Sequence, residues 1–441
     1  MKVAKFGGSS VANAAQFKKV KQIITSDSSR KAIVVSAAGK SADQPVKVTD
    51  LLIRINRLRR AGENYLATFD QLKKRILSIR DGLKLNLDIE SDLMAIFNRI
   101  DSCSYDYLVS RGEFLSGKLM AAYLGFQFID PAQFLLFENG RVDLEKSREQ
   151  LMPLLKANQG IVVPGFYGAD EFGMIHLMPR GGSDISGALL ANILDANLYE
   201  NWTDVSGIKM ADPNIVNHSK KIDRISYDEL HELSLMGAKV FQEDAILPVK
   251  QKGIPVAVLN TNRPQEGGTL VVNSSSTEKH EVVGIAGKRD FVVISVKKPG
   301  LNQHQDSVAK ISAILRKFDL NVDFAPFGPD VIDLLVSEKD KHCDLKKLVK
   351  VLKEQLSFQE VNVQDNIALV AAVSSHLRMQ PALACRLAAA LDSKDIPVHL
   401  VIQKDQDIKV LFGVSNSEYA ETIKNIYSNI LSLMPSKRAL A

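Results

Sequence analysis

The first ten residues, Met1–Ser10, read Met-Lys-Val-Ala-Lys-Phe-Gly-Gly-Ser-Ser, and the interpretation of the fold starts from them. The apolar residues before the two glycines predict a short buried strand. The two serines can cap a helix over Val11–Ile24, where apolar side chains recur every three or four residues. Glycine lets a phosphate approach the backbone, and the unpaired N–H groups of the helix N-terminus face it. The stretch therefore predicts an anion site, with Lys5 adding a positive charge.

This turn matches neither of the two common phosphate-binding patterns. No Gly-Lys-Ser/Thr follows at the Walker spacing, and the glycines do not form G-x-G-x-x-G. The alternative is therefore an ordinary N-terminal strand with a surface lysine. The rest of the chain has to decide between this interpretation and an anion site.

The bulk composition is that of a globular protein with two or three domains. The chain has 441 residues, of which 45% are hydrophobic and 24% charged, and its formal net charge is only +5. Without a long basic run we expect no nucleic-acid partner, and without about 18 consecutive apolar residues we expect no membrane span. The three cysteines lie far apart and no histidines cluster, so we predict reduced thiols, no metal site and a cytoplasmic location.

Short apolar strands alternate with amphipathic helices over the first 260 residues. Further strands are predicted at Lys31–Ala38, Phe126–Ile129, Gly160–Phe166, Leu198–Thr203 and Ile254–Asn260, and helices over Thr49–Leu124 and Tyr227–Gln242. This alternation predicts a three-layer α/β/α sandwich with a largely parallel sheet. Ligands of such sheets bind at the carboxyl ends of the strands, where Lys5, Ser36, Gly165 and Thr203 fall.

Beyond a polar linker at residues 273–279, the chain contains an internal repeat. Phe291-Val-Val-Ile-Ser-Val matches Ile367-Ala-Leu-Val-Ala-Ala, and the same offset of 76 residues aligns later apolar positions without a gap. Each copy reads strand, helix, strand, strand, helix. We predict two small βαββαβ units whose sheets join edge to edge, which removes open edges.

Three further stretches carry chemistry. Met178-Pro-Arg-Gly-Gly-Ser-Asp-Ile-Ser is a second glycine turn, Trp202–Pro213 follows a buried strand, and Gly237-Ala-Lys-Val lies in or after a helix. Two glycine turns beside cations suit a site for several anionic groups, and the fork of Arg180 suits a carboxylate. A simple helix-end ion pair between Arg180 and Asp184 is the alternative.

Taken together and in order, these motifs closely resemble the aspartate kinases of the amino-acid kinase superfamily. The set comprises Lys5-Phe-Gly-Gly-Ser-Ser, Val34-Val-Ser-Ala, Arg111-Gly-Glu-Phe-Leu-Ser, Arg180-Gly-Gly-Ser-Asp, Thr203-Asp-Val-x-Gly and Gly237-Ala-Lys-Val. The repeat resembles the paired ACT regulatory domains of that family. The resemblance implies a catalytic domain over residues 1–275 and two ACT-like domains over residues 280–356 and 357–441.

The reaction that the resemblance implies is transfer of the ATP γ-phosphoryl group to the β-carboxylate of L-aspartate. The product, 4-phospho-L-aspartate, begins the lysine, threonine, methionine and diaminopimelate pathways. A carboxylate nucleophile is already deprotonated at neutral pH, so catalysis needs positioning and charge stabilisation rather than a strong base.

Residue roles follow from the resemblance, position by position. The implied catalytic residues are Lys5, Asp184 and Lys239. The implied aspartate site comprises Thr49, Glu113, Arg180, Gly182 and Ser183. The implied nucleotide site comprises Lys5, Gly7, Gly8, Ser9, Ser36, Thr203, Asp204, Lys209, Asn214, Lys239 and Val240. Mg²⁺ is expected to arrive with ATP, held mostly by phosphate oxygens and water.

The chain departs from the family pattern on the nucleotide side and in the repeat. Lys209 stands where many family members have a tyrosine, and Asn214 stands where an arginine is common. Gln242-Glu243 stands where His-Pro is frequent in the family. The turns at Leu301–Ser307 and Gln403–Asp407 lack the small residues usual at effector sites. Lysine or threonine is the expected effector, and a homodimer or larger homo-oligomer is expected to form through the ACT-like units.

Two alternatives remain open from the sequence. One is a related kinase acting on glutamate or acetylglutamate, against which Arg111-Gly-Glu and the ACT pair argue. The other is a non-catalytic amino-acid sensor, against which the presence of Lys5, Asp184, Arg180 and Lys239 argues.

Overall fold

The computed structural model describes residues 1–179, 181–238, 245–274, 282–301, 307–337, 344–356, 358, 360–378, 382–404 and 407–433. The chain divides into two units. Unit 1 contains Met1–Ile208, Lys221–His231 and Lys239–Ser276, and unit 2 contains Lys209–Lys220, Glu232–Ala238 and Thr277–Ala441.

The elements of the first 276 residues alternate as the apolar pattern predicts. In chain order they are β1 (Lys2–Phe6), α1 (Ala14–Thr25), β2 (Arg30–Val35), α2 (Val48–Arg60), α3 (Leu66–Gly82), α4 (Ile89–Arg99), α5 (Tyr105–Leu124), β3 (Gln127–Phe128), β4 (Phe137–Glu138), β5 (Arg141–Val142), α6 (Leu144–Leu151), β6 (Ile161–Pro164), β7 (Tyr167–Ala169), β8 (Ile175–Leu177), α7 (Gly182–Ile193), β9 (Leu198–Thr203), β10 (Arg224–Ser226), α8 (Tyr227–Leu235), α9 (Ile246–Gln251), β11 (Val256–Asn260) and β12 (Gly268–Val272).

Eight of these strands form one sheet in the order β10-β12-β11-β9-β1-β2-β6-β3. Every pairing in it is parallel except that of β11 with β12, which confirms the largely parallel sheet. β1 lies between β2 and β9, and the apolar side chains of β1 and β2 are buried. The carboxyl ends of β1, β2, β6 and β9 therefore meet at one edge of the sheet, as predicted.

The first helix begins later than the sequence pattern predicts. Residues Gly8–Val11 form one 3₁₀ turn, and α1 starts at Ala14 with Asn13 as its N-cap. The Asn13 side chain accepts a hydrogen bond from the Gln16 N–H at 3.1 Å. The prediction that the two serines cap this helix is therefore wrong, because asparagine is an equally good cap and the serines are used in the tighter turn.

The helical stretch predicted from Thr49 to Leu124 is confirmed as four helices, α2 to α5. Their apolar faces and those of α1 and the sheet share one core, which includes Phe17, Leu52, Phe69, Leu72 and Leu115. Since these side chains point inward at helical spacing, burial of apolar area holds the layers together.

Unit 2 contains the repeat. Its elements are β13 (Gly284–Lys297), α10 (Ser307–Lys317), β14 (Val322–Phe324), β15 (Val331–Ser337), α11 (Leu345–Leu356), β16 (Glu360–Val373), α12 (Ala382–Asp392), β17 (Val398–Ile402), β18 (Lys409–Ser415) and α13 (Tyr419–Leu433). One antiparallel sheet runs β14-β15-β13-β16-β18-β17, with the two copies joined edge to edge by β13 and β16. The predicted pairing of the two copies is confirmed.

The backbone repeats with the sequence. Asp290 (φ 66°) bends β13, and Asn366 (φ 63°), 76 residues later, bends β16. The same offset relates Asp319 and Asp395, both at φ 54°, each after the first helix of its copy. Non-glycine residues seldom adopt this left-handed region, and Asn and Asp do so most readily, so shared strained positions support duplication.

The predicted linker falls mostly on residues 275–281, which lie outside the described residues. The boundaries at residues 275, 280 and 356 stay predictions. In the part of the chain that the structure describes, no helix is long and apolar enough to cross a membrane.

Candidate active site

The first glycine turn lies where β1 ends, and main-chain hydrogen bonds hold it in place. The Gly7 N–H donates to the Trp202 carbonyl at 3.0 Å, and the Gly39 N–H donates to the Gly8 carbonyl at 2.8 Å. The Ser10 hydroxyl, which is buried, forms a hydrogen bond of 2.7 Å with the Thr261 hydroxyl. The turn is thus anchored to the end of β9 and to the loops that follow β2 and β11. Its 3₁₀ start leaves N–H groups without intrahelical partners.

The Lys5 side chain joins this turn to the second one. Its Nζ donates to Oδ1 of Asp184, in the first turn of α7, and forms an ion pair with it. Nδ2 of Asn201 donates to the same oxygen at 3.1 Å. Lys5 and Asn201 are paired in register on β1 and β9, so both side chains leave the same face of the sheet, toward α7.

The second glycine turn precedes α7. Gly181 adopts φ 82°, a left-handed conformation that glycine takes without strain, and serves as the N-cap of α7. Gly182 and Ser183 are buried in the first turn of this helix. The structure therefore brings Gly182, Ser183 and Asp184 next to Lys5, as the motifs predict. Arg180 lies outside the described residues.

Glu113 is a buried carboxylic acid on α5. Its side chain is completely desolvated, and among the described residues its Oε2 has no hydrogen-bond partner. Burial raises the pKa of Glu113 to about 8, although the Ala37 N–H and the Arg111 guanidinium oppose the shift. Ala37 lies in the loop after β2, so Glu113 faces the same sheet edge. A buried carboxyl with one oxygen that no described donor reaches suits a cationic group of a ligand.

The remaining predicted residues on this side are placed at the same edge. Ser9 lies in the 3₁₀ turn and Ser36 directly follows β2, and both are half-buried. Thr49 is the second residue of α2, also half-buried, and Lys47 rather than Thr49 is the N-cap. Thr49 therefore does not cap this helix.

On the nucleotide side, the loop after β9 is held by a buried asparagine. Nδ2 of Asn260 donates to the Asp204 carbonyl at 3.1 Å and to the Ser206 hydroxyl at 2.9 Å. This leaves the Asp204 side chain exposed, with Thr203 donating to it at 3.2 Å. Both predicted residues therefore lie at the carboxyl end of β9.

The place of four predicted nucleotide-side residues at this edge stays a prediction. Lys209 and Asn214 are exposed and belong to unit 2. Asn214 turns its side chain back to Asp212, whose Oδ1 accepts from Asn214 Nδ2 at 2.9 Å. Lys239 and Val240 lie outside the described residues.

Sequence reasoning missed Asn201 and Asn260. Both are polar residues near the carboxyl ends of buried strands, which is the signal that could have identified them. Across the described ranges, no group of three or more His, Cys, Asp or Glu residues could hold a metal ion. The arrangement can bind anionic groups at two adjoining turns and a cationic group at Glu113.

Comparisons with known proteins match almost the whole chain. The profile of the amino acid kinase family matches residues 1–260. Aspartokinase 3 of Bacillus subtilis (strain 168) is 32% identical over 98% of this chain and 99% of its own length. The crystal structure of Clostridium acetobutylicum aspartate kinase has a TM-score of 0.90 at 37% identity, covering 97% of this chain and 99% of that one. Two crystal structures of Escherichia coli aspartokinase III are also similar, one in complex with lysine and aspartate and one in complex with aspartate and ADP. Each has a TM-score of 0.74 at 25% identity, and each match covers 98% of this chain and at least 99% of that one.

Proposed function

We infer that this chain, which belongs to the amino acid kinase family and within it to the aspartokinases, transfers the γ-phosphoryl group of ATP to the β-carboxylate of L-aspartate. The observation that carries the assignment of the site is the ion pair between Lys5 and Asp184, which joins two glycine turns at one sheet edge. Neither alternative weighed from the sequence is favoured by relatives that match almost the whole chain.

The reaction requires that the β-carboxylate and the γ-phosphoryl group be positioned next to each other, and it needs no general base. An oxygen of the β-carboxylate attacks the γ-phosphorus and forms a new P–O bond. The bond from phosphorus to the β,γ-bridging oxygen breaks, and its electron pair leaves with ADP. Lys5 and the N–H groups of Gly8 and Ser9 hold the phosphoryl oxygens as charge spreads over them, and Asp184 keeps Lys5 in position.

The aspartate molecule is held at both of its charged ends. Glu113 accepts the ammonium group, because its buried Oε2 has no other donor among the described residues. Arg180 takes the α-carboxylate with two parallel hydrogen bonds, and Thr49, Gly182 and Ser183 complete the pocket. An N-acetylated substrate has no ammonium to offer Glu113, which disfavours acetylglutamate.

The nucleotide occupies the edge beyond the first glycine turn. Gly7, Ser36, Thr203 and Asp204 line it, with Lys239 near the phosphates. Lys209, Asn214 and Val240 complete the proposed set. Mg²⁺ comes with ATP, coordinated by phosphate oxygens and water, and neutralises phosphate charge when bound.

The paired ACT-like units are the proposed regulatory part. We assign them the binding of lysine or threonine and the assembly of a homodimer or larger homo-oligomer. Light scattering of the full chain tests assembly. Inhibition of turnover by each amino acid in separate titrations tests the effector, and no inhibition by either contradicts that assignment.

A hydroxylamine trap tests the reaction itself. The full chain is incubated with MgATP and hydroxylamine together with aspartate, glutamate or acetylglutamate, and hydroxamate is measured. Aspartyl hydroxamate alone is the expected result. Product with glutamate but not aspartate assigns a different acceptor, and no product with any of the three favours a sensor.

A further inference from the structure

We propose that Arg75, on α3, is a positioning residue that holds the turns after β1 and β2 together in the arrangement that binds the phosphates of ATP. The proposal deepens the function proposed above and rests on it. Arg75 belongs to none of the motifs that identified the site, and it touches no group assigned to substrate.

Among the described residues, its guanidinium hydrogen-bonds to main-chain carbonyls of the loops at this sheet edge. Nη2 donates to the Ala12 carbonyl at 2.8 Å and to the Gly39 carbonyl at 2.6 Å. Nη1 lies 3.5 Å from the Gln44 carbonyl, in the loop that leads to α2. One side chain therefore bridges the end of the first glycine turn, the turn after β2 and the segment before Thr49.

The two turns that Arg75 bridges also touch each other directly. Besides the hydrogen bond from the Gly39 N–H to the Gly8 carbonyl, the backbones approach so closely that a Cβ on Gly39 would lie 2.5 Å from the Gly8 carbonyl carbon. No side chain can fill that space. The pairing of β1 with β2 brings the two turns side by side, and beyond the strand ends the Gly39–Gly8 contact and Arg75 hold them together.

Burial makes this arrangement specific to arginine. Arg75 is only 2% exposed, and within the described ranges no carboxylate forms an ion pair with it and its Nε has no partner. Burial lowers the pKa of the guanidinium, and attraction to Asp43 opposes the shift. A buried cation without an ion-pair partner is costly for the apo fold. Anionic phosphates bound at the adjoining turn would supply negative charge nearby. The planar guanidinium also fixes the direction of its donors, so Nη2 is held toward both carbonyls.

The consequence concerns the N–H groups of Gly8 and Ser9. Without the Arg75 side chain, the first turn can move relative to the turn after β2. The N–H groups of Gly8 and Ser9 then no longer point toward the phosphates. Hydrogen-bond donors stabilise the charge of the transition state most strongly when they need not reorient during the reaction. We therefore expect weaker ATP binding and slower transfer, with little change in the affinity for aspartate.

Two variants separate hydrogen bonding from charge. Arg75→Met removes both, and Arg75→Gln keeps one neutral donor. For Arg75→Met we expect the KM for ATP to rise about tenfold and kcat to fall about tenfold, with an aspartate KM within about twofold of the parent. The KM for ATP and the kcat of Arg75→Gln should lie between those of Arg75→Met and the parent.

The matched control is Arg59 at the end of α2. It also uses its guanidinium to bind main-chain carbonyls, those of Ile100 and Cys103, but neither belongs to a glycine turn. Arg59→Met should lower the melting temperature without changing either KM. Hydrogen exchange of the full-chain variants adds a readout without turnover, since residues 7–12 and 36–44 should exchange faster in Arg75→Gln and not in Arg59→Met.

If Arg75→Met does not fold, Gly39→Ala tests the same contact from the other side and should also raise the KM for ATP. Unchanged kinetics in Arg75→Gln and Gly39→Ala below their melting temperatures overturn the proposal. Measurement of ATP affinity by calorimetry distinguishes failure of the proposed role of Arg75 from failure of the proposed function. A parent chain that binds ATP but forms no hydroxamate contradicts the proposed function, and the ATP affinity of Arg75→Gln then decides the role of Arg75.

Discussion

Nδ2 of Asn201 lies 3.1 Å from Oδ1 of Asp184, the same carboxylate oxygen that accepts from Lys5. One acceptor thus holds two donors from neighbouring strands. Asn201 is 4% exposed, so solvent contributes little to this contact. The amide restricts the carboxylate to one orientation and, through it, the ammonium of Lys5.

This relationship predicts the effect of removing the amide. Asn201→Leu fills a similar volume but leaves the Asp184 carboxylate free to rotate, so we expect kcat to fall about tenfold with substrate KM values nearly unchanged. Asn192→Leu is the matched control, because Asn192 is equally buried and its side-chain amide donates to the Pro248 carbonyl, at 2.6 Å, away from Asp184. Equal kcat in the two variants would assign Asn201 a purely structural role.

Lys5 should be needed for turnover far more than for stability. Lys5→Met removes a charge matched to the transferring phosphoryl group, and we expect a loss of about 10³-fold in kcat. Lys2→Met provides the comparison on the same strand, since Lys2 also pairs with carboxylates, those of Asp27 and Glu200. Steady-state hydroxamate formation distinguishes them. Near-normal turnover of Lys5→Met would remove this lysine from the mechanism.

The raised pKa of Glu113 predicts an opposite pH dependence for stability and for aspartate binding. Because the pKa of Glu113 is about 8 in the folded state and about 4.5 for an ordinary glutamate, the native state retains the proton that the unfolded state has lost. The contribution of this group to the free energy of unfolding therefore falls as pH rises from about 4.5 to 8. Comparison of urea denaturation of the parent and Glu113→Gln over this range checks the sign, and the variant should show the shallower fall.

The same group should tighten aspartate binding as pH rises. The ammonium of aspartate attracts the ionised carboxylate, so the aspartate KM of the parent should decrease between pH 6.5 and 8.5, by at most about tenfold per pH unit. Glu113→Gln should bind aspartate weakly and with a flat profile over that range. A parent profile as flat as that of the variant would place the ammonium elsewhere.

The bend in β16 should tolerate glycine but not valine. Asn366 has φ 63°, where a β-branched residue is strained, so Asn366→Val should lower the free energy of unfolding by about 1–2 kcal/mol. Asn366→Gly should be nearly neutral. Asn362→Val, at an exposed position of the same strand, is the control. Equal stabilities of the two valine variants, measured by chemical denaturation, would contradict the argument.

Much of the fold was predictable because its signals are local. Apolar runs identified the central strands, helical spacing identified the helices over Thr49–Leu124, and a constant offset identified the repeat. The start of α1 was mispredicted for a local reason too. Three candidate caps follow one another within five residues, and only the geometry of the 3₁₀ turn selects Asn13.

The site was predictable only where glycine turns mark it. Lys5, Gly8 and Asp184 stand in such motifs, and the structure places them together. Asn260 and Asn201 belong to buried strands and to none of the glycine motifs. Arg75 follows two lysines on an amphipathic helix, where a solvated face is the natural interpretation, although α3 turns it inward.

By itself the sequence determined the order of strands and helices, the two glycine turns and the duplication, since these depend on neighbours a few residues apart. Only the tertiary structure decided which side chains meet. Lys5 reaches Asp184 across 179 residues, and Arg75 reaches Ala12 across 63. Such pairs depend on strand order and on the rotation of each helix about its axis. These are set by packing of the whole core, which no local pattern encodes.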